Sequence, residues 1–415
     1  MISRRSLLQA AGTGAVLAGT GHALTRGFVS RAQAQAAALN LPLQLPEGTR
    51  REAMLDALPG KRPLIKLSYR PPNYETPVEL LRTAITPNDA FFVRYHLTDI
   101  PEVNPDTWRL SVGGDGANGQ ISLSLAELKQ LPAVEVAAVC QCSGNRRGLF
   151  EPHVPGVEWG YGAMGCARWK GARLKDVLDR AGLKNEALEI VVAGTDSGAV
   201  DKTPKFVKSI PVWKAIEDTT LVAYEMNGQP LPHWNGFPAR IIVPGWTATY
   251  WMKHVTSIGV ATKPFEGFWM KSAYRIPLGR FPVVARFASQ ETAVNTPIAE
   301  MVVNSLLTSH ANGATVKAGE NVTVGGLAWD AGYGIQAVEL SIDGGRNWTA
   351  ATLGEDLGRF AFRAFSHTVA MPARGSYKVM ARAINRIGQS QASALIANPA
   401  GYHHNVVQTL ELVAA

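Results

Sequence analysis

Val139-Cys140-Gln141-Cys142-Ser143-Gly144-Asn145-Arg146-Arg147-Gly148 is the stretch on which the reading of this chain turns. An apolar strand over 134–139 runs into a cysteine, a Ser-Gly-Asn turn and two arginines. Neighbouring cations lower a thiol's pKa and favour the thiolate, the form that ligates metals or attacks electrophiles. A buried structural cysteine beside a surface arginine pair fits the same residues, and chemistry alone leaves both readings open. The chain has only three cysteines, Cys140, Cys142 and Cys166. An odd, small count argues against a disulfide framework, and Cys140 and Cys142 lie too close for an unstrained bridge.

Polar residues also interrupt two apolar runs outside this stretch. Phe91-Phe92-Val93-Arg94-Tyr95-His96 reads as a strand with Arg94 and His96 on one face, by its period of two. Phe268-Trp269-Met270-Lys271-Ser272-Ala273-Tyr274-Arg275 sets two cations and a tyrosine in an aromatic-rich run. Gly160-Tyr161-Gly162-Ala163-Met164-Gly165 fits G-x-G-x-x-G, but it follows no apolar strand and has no acidic residue some twenty positions on. It is a poor dinucleotide fingerprint. No C-x-x-C-H occurs, so no covalent haem is expected on this chain.

The pattern predicts helices over 125–131 and 174–181, and buried strands over 189–193 and 240–243. Residues 37–75 are Pro-rich and read as irregular. The character changes near 286–297. Beyond it come strand-like runs at 314–327, 336–342, 348–351, 360–369 and 377–385, with turn chemistry at Asp343-Gly344-Gly345 and Pro372-Ala373-Arg374-Gly375. Short strands at this spacing indicate an immunoglobulin-like sandwich.

The whole chain of 415 residues is 46% hydrophobic and 18% charged, which excludes a disordered or collagenous protein. Four of its cations, Arg4, Arg5, Arg26 and Arg31, fall in residues 1–36, a segment without acids; they carry half of the net charge of +8. The rest is too weakly basic, and too free of dense Lys/Arg runs, to suggest nucleic acid. The Arg4-Arg5 pair opens a Gly-broken apolar stretch ending in small-residue cleavage sites, which reads as a twin-arginine export signal over 1–36. The alternative is a basic terminus with a short core helix. No other segment reaches eighteen uninterrupted apolar residues, so no membrane span is expected in the mature protein.

Taken in order, Cys142-Ser143-Gly144-Asn145-Arg146-Arg147, Gly162-Ala163-Met164-Gly165-Cys166-Ala167-Arg168-Trp169-Lys170-Gly171, Leu221-Val222-Ala223-Tyr224-Glu225-Met226-Asn227-Gly228, Gly236-Phe237-Pro238-Ala239-Arg240 and Val243-Pro244-Gly245 resemble the signature of the sulfite oxidase family. The likeness covers about 75–415 and is nearest to the molybdenum subunits of bacterial periplasmic sulfite dehydrogenases. It implies an α+β, mostly β architecture. A sulfite-oxidase-type molybdopterin-binding domain spans 76–290, and an immunoglobulin-like dimerisation domain spans 297–415.

The resemblance also implies roles. Cys142 matches the single protein ligand to molybdenum in a molybdopterin cofactor, where a soft thiolate suits the metal. Arg94 and His96 match positions flanking substrate and pterin, while Arg147 and Tyr274 match the pocket arginine and active-site tyrosine. Asn235, Arg240 and Lys253 match cofactor anchors, Asp196 does so more loosely, and Phe92 and Trp251 complete the cradle. The pocket arginine that many relatives draw from a C-terminal Asn-x-Arg-Gly is missing, because Asn398-Pro399-Ala400-Gly401 stands there. His403 or His404 are the candidates to replace it. The implied reaction is oxidation of sulfite to sulfate, with electrons leaving to a periplasmic c-type cytochrome. The subunit is expected as a homodimer or as a heterodimer with that cytochrome. A same-fold reductase of sulfoxides such as methionine sulfoxide, and a non-enzymatic sandwich-domain binding protein, are the rival readings.

Overall fold

The computed structural model describes residues 54–277 and 295–415. The export signal expected over 1–36, the adjoining residues up to 53 and the change of character near 286 lie outside the described residues.

Strands form where the alternation of apolar residues predicts them, and one of nine residues delivers the key cysteine. Ala133–Gln141 alternates exposed and half-buried residues at its start, then is buried on both faces from Ala137 onward. It pairs antiparallel with Met164–Arg173 over nine consecutive positions, from Ala133 opposite Ala172 to Gln141 opposite Met164. Leu221–Met226 continues this sheet, joined by Gln229–Pro230 and Arg240–Ile242. A second sheet has the order Val207–Pro211, Glu189–Gly194, Val255–Ala261, Arg109–Gly113, Ile121–Ser124. Its one parallel pairing is Val255–Ala261 with Arg109–Gly113. Helix Leu125–Gln130 starts from a reciprocal Ser124/Glu127 capping box. Helix Leu174–Ala181 buries Leu174, Val177, Leu178 and Ala181, the i, i+3, i+4, i+7 stripe that its sequence predicts.

Part of the segment read as irregular proves to be a sheet. Met54–Asp56, Leu64–Ser68 and Asn73–Glu75 form an antiparallel meander closed by Val93–Arg94. Each strand is too short to show a period, and the fourth lies almost twenty residues downstream of the third. This small sheet sets Arg94 opposite Asn73.

The second domain is an immunoglobulin-like sandwich. One sheet holds Asn304–Leu307, Asn321–Trp329, Arg363–Ala370 and Thr352–Leu353; the other holds Ala314–Val316, Gln408–Ala414, Gly375–Asn385, Ile335–Ser341 and Thr349–Ala350. Val324, Phe365, Val338, Val379, Leu410 and Leu412 are among the residues filling the space between them. The run at 314–327 is therefore two strands in different sheets: Ala314–Val316 pairs with the chain's last strand, and Asn321–Trp329 pairs with Arg363–Ala370. The run at 348–351 likewise feeds both sheets, by way of Ala351.

The two domains share a buried seam. Val139, Tyr161, Met164 and Cys166 of the first pack with Leu306, Leu327, Trp329 and Phe362 of the second. Trp329 Nε1 donates to Gln141 Oε1 at 2.6 Å, one residue from Cys142.

Candidate active site

Cys142 follows the last residue of its strand and is pinned by its backbone. Its N–H donates to the Ala163 carbonyl (2.9 Å), and its own carbonyl accepts from Asn145 N–H (3.0 Å). Asn145 Oδ1 accepts from Ala163 N–H at 3.0 Å and closes the turn. At Gly144 a Cβ would lie 2.3 Å from the Arg147 guanidinium, so a larger residue there would have to displace that side chain.

The two arginines diverge. Arg146 takes a left-handed backbone (φ 69°) and turns into the domain seam. There it donates to the carbonyls of Ser305 (2.7 Å) and Val406 (3.3 Å), with its guanidinium carbon 4.9 Å from the Tyr161 ring centroid. Arg147 donates to the carbonyls of Val157 and Ala400, both at 3.1 Å, and lies 5.3 Å from the Tyr402 ring centroid. It does not line the cavity beside Cys142, although its charge is felt by Tyr274.

The Gly-rich motif has a different use from phosphate binding. The amides of Gly160 and Gly162 donate to the buried Glu75 carboxylate at 2.7 and 3.0 Å, and the motif leads into a strand. A carboxylate already occupies the place a phosphate would need.

Cys142, Arg94, His96 and Tyr274 meet at one cavity. Arg94 Nη2 donates to the Tyr274 hydroxyl at 3.4 Å, while Nη1 is held by Asn73 Oδ1 at 3.2 Å and by the Tyr95 carbonyl. His96 Nε2 is hydrogen-bonded to the same hydroxyl. The strand expected over this run ends at Arg94, yet both side chains reach one partner, as the shared face predicts. His96 stacks on Phe206 at 3.7 Å and 11°, with Trp269 at its edge. Burial, then the charges of Arg94, Lys253 and Lys208, hold the His96 pKa well below its ordinary value, so the ring is neutral. Burial opposes the charge on Arg94, but Tyr274 and Cys142 outweigh it and keep the guanidinium protonated beyond its usual range. Burial raises the Tyr274 phenol, against the pull of Arg94.

Behind Cys142 the cavity wall is cationic. Arg240 donates to the carbonyls of Trp251 and Asn235, both at 3.2 Å, and to Cys140 Sγ at 3.3 Å. Lys253 donates to the Arg94 carbonyl and lies 3.8 Å from the Tyr95 ring centroid. Burial, then Arg240, lowers its pKa to about 7, with Asp196 pulling the other way. The Asp196 carboxyl, also on this wall, is raised by burial and lowered by Lys253. Asn235 Oδ1 accepts from Lys61 Nζ at 2.7 Å, and its Nδ2 donates to the Phe92 carbonyl at 3.4 Å. Trp251 Nε1 donates to the Trp246 carbonyl at 3.0 Å.

Every residue expected to cradle the cofactor thus lines this one cavity. Ser143, Phe206 and Thr249 line it too and were not expected, nor was Lys61, which holds Asn235 from behind. Ser143 could have been found, since it follows Cys142 directly. Lys61 sits in the Pro-rich segment, where no pattern marks it, and burial lowers its pKa to about 7.

The wall fits an anionic cofactor with a soft metal. Lys253 is buried with its charged form penalised, a cost that a bound phosphate would offset. The hydroxyls of Ser143 and Thr249 face the same cavity and have no hydrogen-bond partner among the described residues. Buried polar atoms left unpaired in this way point to a ligand. Among the described residues no group of three or more His, Cys, Asp or Glu side chains could hold a metal ion. A metal at Cys142 would take its remaining ligands from the cofactor.

His403 and His404 do not supply the missing cation. Both are buried, and neither lines the cavity. His404 packs against Phe150, and burial, followed by the charge of Arg146, lowers its pKa to about 3. It is a neutral core residue.

A thiol, a cationic wall and unpaired hydroxyls around one cavity define the site of a molybdopterin oxidoreductase, and comparison with known proteins agrees. Residues 96–269 match the oxidoreductase molybdopterin binding domain, and 295–412 match the Mo-co oxidoreductase dimerisation domain. Sulfite oxidase of Gallus gallus is 36% identical over 342 residues, covering 79% of this chain and 72% of that protein. Mitochondrial sulfite oxidase of Homo sapiens is 40% identical over 311 residues, 72% of this chain and 55% of that protein. The chain thus spans about half the length of the mammalian relatives it matches. The sulfane dehydrogenase SoxCD of Paracoccus pantotrophus shares the fold, with a TM-score of 0.72 at 23% identity over 89% of this chain and 90% of that one. This chain belongs to the sulfite oxidase family.

Proposed function

We propose that this protein oxidises sulfite to sulfate at a molybdenum centre ligated by Cys142. On this reading it acts in the periplasm after twin-arginine export and passes electrons singly to a separate c-type cytochrome. The observation that carries the reading is the convergence of the Cys142 thiol, the Arg94 guanidinium and the Tyr274 hydroxyl on one cavity backed by buried cations. The reaction is sulfite plus water to sulfate, two protons and two electrons. Bound molybdenum cofactor would supply the two-electron couple and the oxygen transfer.

The protein's own residues supply binding and orientation. Cys142 would hold the metal, and Arg240 and Lys253 would neutralise the anionic pterin phosphate, with Ser143 and Thr249 completing its hydrogen bonds and Lys61 holding Asn235 from behind. Arg94 would attract and orient the sulfite anion. Because Arg94 donates to the Tyr274 oxygen, the phenolic proton is left for His96 Nε2, which accepts it as a neutral ring. The three side chains then hold one another in place at the substrate. The sandwich domain supports a twofold dimer, in keeping with the dimerisation domain it matches.

The test is to purify the chain with its cofactor and offer sulfite with ferricytochrome c. Reduction of two cytochromes per sulfite is expected. Oxidation of reduced viologen by methionine sulfoxide, without sulfite activity, would replace this reading with that of a sulfoxide reductase.

A further inference from the structure

Lys208 is a buried cation that the mechanism above does not use. It sits on strand Val207–Pro211 and is fully buried. Its Nζ donates to the Trp269 carbonyl at 2.7 Å and lies 4.6 Å from the Tyr250 ring centroid and 5.4 Å from that of Tyr274. Among the described residues no carboxylate forms an ion pair with it. An ammonium is strongly disfavoured in such a place unless something else repays its desolvation. The π-faces of two tyrosines and one carbonyl do so in part.

We propose that Lys208 is a positioning residue of the anion site: through the ring of Tyr274 it lends the pocket the positive charge that Ala400 does not provide. The proposal rests on the anion-oxidising reading above. Tyr274 links Lys208 to the substrate side, because its hydroxyl is the shared partner of Arg94 and His96. The charged and titratable groups around Lys208 are few. Arg275 follows Tyr274 and opposes the charge on Lys208. Tyr250 and Tyr274 offer their rings, and His96 is kept neutral in part by Lys208. Glu189, on the neighbouring strand, is engaged by Phe265 N–H. Burial and then Arg275 lower the Lys208 pKa to about 7, so the contribution fades as pH rises through neutrality.

The experiment uses the cofactor-loaded enzyme, with inorganic sulfate as the probe because it stays a dianion from pH 5 to 9. Sulfate binding is read from intrinsic tryptophan fluorescence, and sulfite KM and kcat are measured beside it. Lys208→Met should weaken sulfate roughly a hundredfold or more at pH 6, the effect of one charge on a dianion at about 10 Å through an effective dielectric near 20. It should raise sulfite KM by roughly tenfold or more with kcat little changed. Lys208→Arg should restore both and hold sulfate affinity steadier than wild type from pH 6 to 8.5. Lys208→Met binding sulfate as tightly as wild type would overturn the proposal. So would Lys208→Arg following the wild-type pH curve, a result that stands even if the methionine variant does not fold. Wild type that neither binds sulfate nor oxidises sulfite would overturn the anion-oxidising reading itself, and the role of Lys208 with it.

Discussion

Tyr274 of the catalytic domain and Tyr402 of the sandwich domain stack face to face, 5.4 Å between centroids and 13° from parallel. The second domain therefore backs a side chain that lines the active-site cavity. Its loop is shaped by Asn398, whose side chain binds both the N–H and the carbonyl of Tyr402. The Ala400 carbonyl in the same loop takes Arg147.

Tyr402→Phe keeps the stacked ring and should leave sulfite kinetics close to wild type. Tyr402→Ala removes a buried aromatic and should cost about 3–5 kcal/mol of stability. It should also lower kcat/KM, because Tyr274 loses the surface that fixes its plane. Urea denaturation and steady-state kinetics on both variants check this. Equal kinetics for the two would show that the stack has no part in the site.

Arg94 and Arg147 should behave differently, although both were expected at the pocket. Arg94→Gln removes a charge from the cavity and should raise sulfite KM roughly ten- to a hundredfold, the worth of a charge-assisted hydrogen bond of about 1.5–3 kcal/mol. Its melting temperature should fall as well, since Nη1 also holds Asn73 Oδ1 and the Tyr95 carbonyl. Arg147→Gln breaks two bonds to carbonyls, one of them across the domain seam, and should lower the melting temperature while raising KM less. The reverse pattern would place Arg147 on the substrate and Arg94 in the framework.

Acid should destabilise the protein before its carboxylates titrate. His254 Nδ1 faces the Phe237 carbonyl, a pure acceptor, so it carries the proton; Nε2 then accepts from the Tyr95 hydroxyl at 2.7 Å. Burial lowers the pKa values of His254 and His404 to about 3. Each is neutral when folded and takes up a proton on unfolding below about pH 6.5. Their contribution is complete above pH 6.5 and lost as pH falls toward 3, at about 1.4 kcal/mol per pH unit for each histidine. His404→Leu should reduce the slope of stability between pH 6 and 4.5 by that amount. An unchanged slope would mean that His404 already holds a proton in the folded protein.

How much of this was legible depended on whether local pattern or tertiary pairing decided each element. The strand leading to Cys142 and the helix Leu174–Ala181 follow from periodicity, and the structure agrees almost residue for residue. The cofactor cradle was reached through resemblance, and its residues do converge. The strands between Met54 and Glu75 could not be read, because three to five residues show no period and their closing partner is Val93–Arg94. Arg146 and Arg147 are adjacent and chemically alike. The left-handed backbone at Arg146 sends it to Ser305 and Val406, while Arg147 goes to Val157 and Ala400. The paired histidines looked like candidate cations, but Asn304, Arg146 and Phe150 receive them into a core that no local pattern announces.

The central claim is that one thiol, Cys142, carries the chemistry. Cys140 and Cys166 are equally buried and lie within the same two strands' reach. Cys140 Sγ accepts from Arg240, a bond that a serine hydroxyl can also accept. Cys166 packs in the apolar seam. The direct measurement is sulfite-dependent reduction of ferricytochrome c per bound molybdenum, in wild type and in Cys140→Ser, Cys142→Ser and Cys166→Ser. The account predicts that Cys142→Ser alone abolishes turnover while the other two keep most of it. Normal turnover by Cys142→Ser, or a dead Cys140→Ser beside it, would contradict the account.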